Sequence, residues 1–339
     1  MAEQWTIEGP KVLDVGGADE EVTALDVTLV AGAIDVVTHD DSPTARVEVT
    51  EVVGSPLDVT WDGHRLKIAH IPTSHGLSAL WEGRGEAAGG LLASLKATFG
   101  GLDKNTARLS VSVPVGARVD VKTVSATALV SGVHNTVAVK TVSGSLTLDD
   151  LTGRVDITTV SGEVDARQLA GPVSVNAVSG AVTVQSSDLP RADVKTVSGD
   201  ITLDLVNPRA TIRSNSVSGD VTVRAPYDGF DLSAKSVSGQ VVAGGRSLGR
   251  RAPSGSLSEG DRGLRLSAKA VSGSITLLRA TDRGTAGSVD GHGADGHSAD
   301  GGSIDDQGGG FPVAPDPGGG AVGTDDTQGR QDLHGDGSW

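Results

Sequence analysis

A serine recurs in this chain inside one short phrase, Val-Ser-Gly, and a serine next to glycine is a candidate nucleophile. Complete copies are Thr141-Val142-Ser143-Gly144, Thr159-Val160-Ser161-Gly162, Ala177-Val178-Ser179-Gly180, Thr196-Val197-Ser198-Gly199, Ser216-Val217-Ser218-Gly219, Ser236-Val237-Ser238-Gly239 and Ala270-Val271-Ser272-Gly273. Nucleophilic chemistry needs more than the phrase. A serine elbow is Gly-x-Ser-x-Gly on a strand-to-helix turn, with a histidine and an acid to activate the hydroxyl. One serine per repeat without those partners suits a hydrogen-bonded ladder at a bend, so no catalytic residue is assigned. Gly291-His292-Gly293-Ala294-Asp295-Gly296 matches Gly-x-Gly-x-x-Gly. A dinucleotide site requires a strand before that loop and a helix after it, and low-complexity sequence surrounds this one. No cofactor is expected. Asp290, His292, Asp295, His297 and Asp300 carry metal-ligating atoms, but without EF-hand order or a rigid shell to hold them. His39, His64, His70, His75 and His134 are scattered with no ligand spacing, and no metal is expected. Arg246, Arg250, Arg251 and Arg262 sit in a segment that reads as a solvated loop.

Composition removes further classes. The 339 residues contain no Cys, which excludes disulfides, thiolate metal sites and cysteine nucleophiles. The net charge of −15 repels a phosphate backbone, so nucleic acid is not an expected partner. Polysaccharide hydrolysis needs paired carboxylates along an aromatic groove, whereas the repeats offer only Tyr227 and Phe230. The chain therefore reads as non-enzymatic. Its first residues lack a basic segment and an apolar core, and no stretch approaches the roughly 18 apolar residues of a membrane span. A cytoplasmic location is the resulting expectation.

The elements that carry these residues follow from the repeat. Counted from the decayed copy at Ser125, successive serines lie 18, 18, 18, 19, 20, 20 and 34 residues apart. A fixed period of this length marks stacked supersecondary units. Inside one unit the aliphatics fall at Val142, Leu146, Leu148, Leu151, Val155, Ile157 and Val160, in steps of 4, 2, 3, 4, 2 and 3. Even steps hold one face of a strand, and the odd step changes phase. Those changes fall at Asp149-Asp150, Thr158-Thr159 and Arg167-Gln168, read here as corners. Val-Ser-Gly alternates with Leu-Thr-Gly or Leu-Ala-Gly, so like stacks on like when residue i pairs with i+18. The expected fold is all-β, a parallel β-solenoid of about 18–20-residue coils, with an antiparallel meander as the competing arrangement. Eight coils at about 4.8 Å each give a stack of about 40 Å.

Val27–Val36 aligns without a gap on Val194–Leu203, which extends the design toward the N-terminus. Residues 1–76 are expected to form irregular opening coils with a cap containing Trp5. Residues 77–106 read as an inserted loop in which Leu91, Leu92, Leu95 and Phe99 share one face of a short amphipathic helix. Residues 107–280 hold the regular repeats, with a loop at Gly244–Gly263 accounting for the interval of 34. Residues 281–339 hold 17 Gly and 11 Asp against Arg283 and Arg330. This composition cannot bury enough apolar surface to offset the entropy of ordering, and a disordered acidic tail is expected.

The Thr-Val-Ser-Gly-x-Val/Ile-Thr-Leu repeats, following an N-terminal strand region, resemble the bacterial β-strand-repeat proteins of the "putative adhesin" or toast-rack family over about residues 20–280. The resemblance implies a non-enzymatic β-solenoid with no family catalytic residues to carry over. Two functions are expected from it and from the residues. One is a scaffold or interaction protein that displays a repetitive polar surface to a protein partner. The other is a peripheral membrane or envelope-stress module docking through the 87–99 segment, with Leu91, Leu92, Leu95 and Phe99 in contact with the membrane surface.

Overall fold

Residues 3–17, 20–70, 105–247 and 254–280 are described in the computed structural model of the chain. The expected helix with Leu91, Leu92, Leu95 and Phe99, the acidic segment 281–339, and His75, Arg250 and Arg251 lie outside the described residues.

Every element described is a strand. The first six are β1 (Glu3–Ile7), β2 (Lys11–Val15), β3 (Ala24–His39), β4 (Ala45–Val53), β5 (Leu57–Trp61) and β6 (Arg65–Ala69). Next come β7 (Thr106–Pro114), β8 (Arg118–Ser131), β9 (Val137–Ser143), β10 (Leu146–Asp149), β11 (Val155–Ser161) and β12 (Val164–Arg167). The series goes on through β13 (Val173–Ser179), β14 (Val182–Ser187), β15 (Arg191–Ser198), β16 (Ile201–Leu205), β17 (Thr211–Ser218) and β18 (Val221–Ala225). It closes with β19 (Phe230–Ser236), β20 (Val241–Ala243), β21 (Arg246–Ser247), β22 (Ser254–Glu259), β23 (Leu264–Ser272) and β24 (Ile275–Arg279).

One repeat is two strands and two corners. Val155 pairs in parallel with Val137 on one side and Val173 on the other. Leu146 pairs likewise with Val164. Residue i therefore stacks on i+18, as a solenoid requires and a meander forbids. Val, Thr and Ile favour this half-buried pleated surface. Inward side chains form continuous columns such as Val119, Val137, Val155, Val173, Ala192 and Ile212, all buried. Each buried Val, Leu or Ile contributes about 1.5–3 kcal/mol relative to an exposed one.

The phase changes lie partly elsewhere than expected. Asp150 and Gln168 do mark a corner, with φ of 51° and 53°. Thr158-Thr159 does not, because both lie within β11. Thr159 points into the core and Val160 points out. The odd step arises because this repeat puts a hydroxyl residue inside and its valine outside. Thr123, Thr141, Thr159 and Thr196 are accordingly buried, with Thr123 Oγ1 donating to Thr141 Oγ1 at 2.9 Å.

At the bend the glycine is required. A Cβ on Gly199 would be driven into the carbonyl oxygen of Gly180, one on Gly180 into that of Gly162, and one on Gly219 into that of Gly199. Gly199 also has φ of 136°, a region closed to L side chains. The serine beside it secures the same corner. Ser143, Ser161 and Ser179 hydroxyls donate to the Val124, Val142 and Val160 carbonyls of the preceding coil at 3.3, 3.4 and 3.1 Å.

Both ends depart from chain order. At the C-terminal end β23 and β24 lie between the coil β17/β18 and the coil β19/β20. The interval of 34 is thus no loop within a coil. The chain forms the outer coil, adds β22 antiparallel to β19, and returns to fill the layer beneath. At the N-terminal end β3 is likewise a complete coil between β8 and an outer coil assembled from β6 and β7. Antiparallel strands close that end: β5 on β6, β4 on β7, β1 on β5 and β2 on β4. Trp5, in β1, packs against the core, and buried Trp61 donates its indole N–H to Glu20 at 3.1 Å.

The outer coil carries the inserted chain. Leu25 pairs with Leu66 and Ile34 with Leu109, so 34 residues, 71–104, stand where other coils have none. The two flanks of this insertion meet at Ser55. The Asn105 Oδ1 accepts from the Ser55 N–H at 3.1 Å, and buried His70 Nε2 donates to the Ser55 carbonyl at 2.9 Å. Among the described residues His70 Nδ1 has no partner, and burial lowers the pKa of His70 below the ordinary 6.5.

Two outcomes follow. Replacing Gly199 with Ala is expected to cost about 2–5 kcal/mol through strain and carbonyl overlap, read as a lower Tm. An unchanged Tm would contradict the glycine stack. For His70 the depressed pKa makes its contribution complete above pH 6.5. As pH falls below that value the unfolded chain takes up a proton that the folded chain refuses, and stability declines. The stability gap between wild type and His70→Gln should therefore narrow from pH 7.5 to pH 5 in denaturant melts; a constant gap would show that His70 titrates normally.

Candidate functional site

Alternation along the first strand of each coil sends every second residue outward, and stacking turns those residues into columns. Three columns run side by side. Two residues before the lysine position stand Asp26, Asp120, Asp156 and Asp193, interrupted by Ala138 and Ser174. The second column reads Lys122, Lys140, Thr158, Asn176, Lys195, Asn215, Lys269 and Lys235 in stacking order. The third is the valine of each Val-Ser-Gly phrase.

Arginines serve the aspartates. Arg154 grips Asp156 with two bonds of 2.7 and 2.9 Å, Arg191 meets Asp193 at 2.7 Å, and Arg65 meets Asp26 at 3.1 Å. These exposed pairs add little to stability, yet they neutralise the acidic column locally. Among the lysines, Lys122 pairs with Asp120 at 3.2 Å. Among the described residues Lys195, Lys235 and Lys269 have no carboxylate within ion-pair distance.

These three lysines line a shallow groove of about 490 Å³ with Asn215, Val217, Val237 and Val271. Its walls are largely apolar, for Val217, Val271 and Val237 are 48, 50 and 62 % exposed, and Val197, two residues on from Lys195, is 48 % exposed. Thr196, Ser216 and Ala270 of the inward column lie behind it, and among the described residues the Thr196 and Ser216 hydroxyls have no hydrogen-bond partner. Cationic ends beside an exposed aliphatic ridge can hold an anionic group and an apolar group at once. The pattern was present in the sequence as Lys-x-Val-Ser, at Lys122, Lys140, Lys195, Lys235 and Lys269. It passes unnoticed when that valine is counted among the core residues.

Among the described residues, those singled out for chemistry are not brought together. Among the described residues the repeat serines occupy the bend ladder, at coil spacing, and hydrogen-bond to carbonyls rather than to a histidine. His39 pairs with Asp41 at 3.1 Å and His70 is bound to Ser55. Among the described residues no group of three His, Asp or Glu is placed to hold an ion. The Gly291–Gly296 match and Asp290, His292, Asp295, His297 and Asp300 lie outside the described residues. Arg246 meets Glu259 at 4.0 Å, and Arg262 has φ of 57° in the turn before β23. Tyr227 and Phe230 pack edge to face at 5.2 Å and are buried, so neither offers a ring face to a sugar. Leu91, Leu92, Leu95 and Phe99 belong to the insertion, whose flanks His70 and Asn105 stand beside the Val30 position, at the head of the valine column. Among the described residues no helix is long and apolar enough to cross a membrane.

Known proteins of similar structure span four-fifths of the chain. A "putative cell adhesion protein" from Clostridium sporogenes shares 11% identity, with 80% of this chain and 100% of that one covered and a TM-score of 0.22. A "putative adhesin" from Bacteroides fragilis shares 12%, covering 79% and 97%, with a TM-score of 0.41. A "putative lipid binding protein" from Parabacteroides distasonis shares 13%, covering 80% and 97%, with a TM-score of 0.37. No curated protein matches the chain. The Toastrack DUF4097 family matches in two overlapping stretches, residues 92–195 and 135–278. Together these stretches take in more than half of the chain and the whole run of Val-Ser-Gly coils, and the chain belongs to the Toastrack DUF4097 family.

Proposed function

We propose that this protein is a non-enzymatic interaction scaffold, presenting the outward columns of its first strands to a protein partner. One observation carries the reading: residues of like chemistry stand in register on successive coils, so a single small contact set is repeated along one face. Repetition converts weak single contacts into firm binding by raising the effective concentration of each following contact. The core supports this reading too, because its continuous inward columns keep the outward ones in place from coil to coil.

Panning a phage-displayed library of 12-residue peptides against the purified protein tests the display face. Enriched peptides should slow backbone amide exchange in β15, β17, β19 and β23. Protection confined to the second strands or the corners, or a library that yields no binder, would reject the reading.

Membrane docking through Leu91, Leu92, Leu95 and Phe99 is a second reading. It draws support from the point at which that segment joins the fold, at the Val30 end of the valine column. Here the protein should sediment with anionic vesicles, and Leu95→Ser with Phe99→Ser should lower the bound fraction at least fivefold. Equal sedimentation of that variant would remove the reading.

A further inference from the structure

The far end of the display face has a charge opposite to that of the chain as a whole. Lys269 and Lys235 are direct partners on adjacent strands, about 4.8 Å apart, and like charges so placed weaken a sheet. Lys195 stands two coils away, across Asn215. The carboxylate column that accompanies the lysines elsewhere ends at Asp193, which Arg191 and Arg213 already hold at 2.7 and 3.9 Å. Beyond it the equivalent positions are Arg213, Ser267 and Ser233. In a chain of net charge −15, this stretch gathers cations and withholds the acids that would quiet them. Beside the lysines run the four most exposed valines of the Val-Ser-Gly phrases.

We propose that this groove binds an extended polypeptide segment in which Asp or Glu alternates with aliphatic residues. The proposal rests on the display reading and names the chemistry of its partner. In an extended peptide successive side chains point to opposite sides, so acids can face the lysine column while aliphatics cover the valine column. The spacings agree. Acids at i, i+2 and i+4 span about 13.6 Å, and the three coil steps from Lys195 to Lys235 span about 14.4 Å. Nucleic acids and acidic polysaccharides supply charge without apolar side groups, and they leave the valines wet. A bilayer presents its headgroups as a plane, whereas here charge and apolar surface lie side by side in a groove.

Fluorescence polarisation with the full chain and a fluorescein-labelled peptide of six Asp-Val pairs tests this. The peptide should bind, more weakly as salt rises, and a peptide of six Asp-Ser pairs should bind at least tenfold more weakly. Combining Lys195→Gln, Lys235→Gln and Lys269→Gln should weaken Asp-Val binding at least tenfold while the Tm holds or rises, since the lysine repulsion is gone. Lys235→Gln alone should cost about threefold and serves if the triple variant is unstable. Equal binding of the two peptides, an affinity indifferent to the lysines, or displacement of the peptide by phosphatidylglycerol vesicles would each overturn the proposal. Should panning yield non-acidic peptides that still protect the first strands, the display reading stands and this inference falls.

Discussion

Everything in this protein depends on one coil lying on the next in fixed register. A coil here is two short strands, of seven and four residues in the unit that begins with β11, and it cannot bury a core alone. Stability comes from hydrogen bonds to the neighbours and from inward columns that become continuous only when i meets i+18. The bend between the strands is a point of close approach. There the peptide of one coil lies directly over the carbonyl of the coil before it, which is why Gly144, Gly162, Gly180 and Gly199 stack on one another and why a serine hydroxyl reaches back to the preceding coil.

Much of this arrangement was legible in the residues. A period of 18 with alternating Val-Ser-Gly and Leu-Thr-Gly corners reports the pairing directly, and the gapless match of Val27–Val36 to Val194–Leu203 places β3 as a coil. What was not legible shares one physical cause. Local periodicity says which residues face together but not which layer a strand joins. The return of β23 beneath β19 and the position of β3 beneath β6 and β7 depend on contacts made across long loops. The valine of Val-Ser-Gly was misplaced for a related reason. Apolarity predicts burial on average, yet here the inward position is a threonine and the outward one a valine, and only the register of the strand tells them apart. The lysine column was hidden behind that same exchange.

The layer exchange at both ends has a common logic. A solenoid in strict chain order finishes on an open strand edge, which templates pairing with another chain. In this protein each outermost parallel coil is covered by antiparallel strands: β4 and β5 at one end, β21 and β22 at the other. Reversing direction needs a connection, and that connection frees the chain to re-enter the layer beneath. The coils that complete the core, β3 and β23 with β24, are therefore held on both sides, and the strands left at the margins are short.

Variation in coil length shows where the protein tolerates change. From the first strand to the second, the distance in sequence is nine residues in coil after coil, as in Val137 to Leu146, Val155 to Val164, Ala192 to Ile201 and Ile212 to Val221. The extra residues that lengthen later coils to 19 and 20 fall instead at the second corner, where the pairing of β14 with β16 slips between Val184 and Ser187. Had core packing alone governed the repeat, either corner could have taken them. The first strand and its glycine bend are also the part that carries the outward aspartates, lysines and valines. Lengthening at the second corner leaves those columns in line, and the 34-residue insertion enters the bend only in the outermost coil, where a single layer's contribution is interrupted. The geometry that is kept constant is thus the geometry that a repetitive binding face requires.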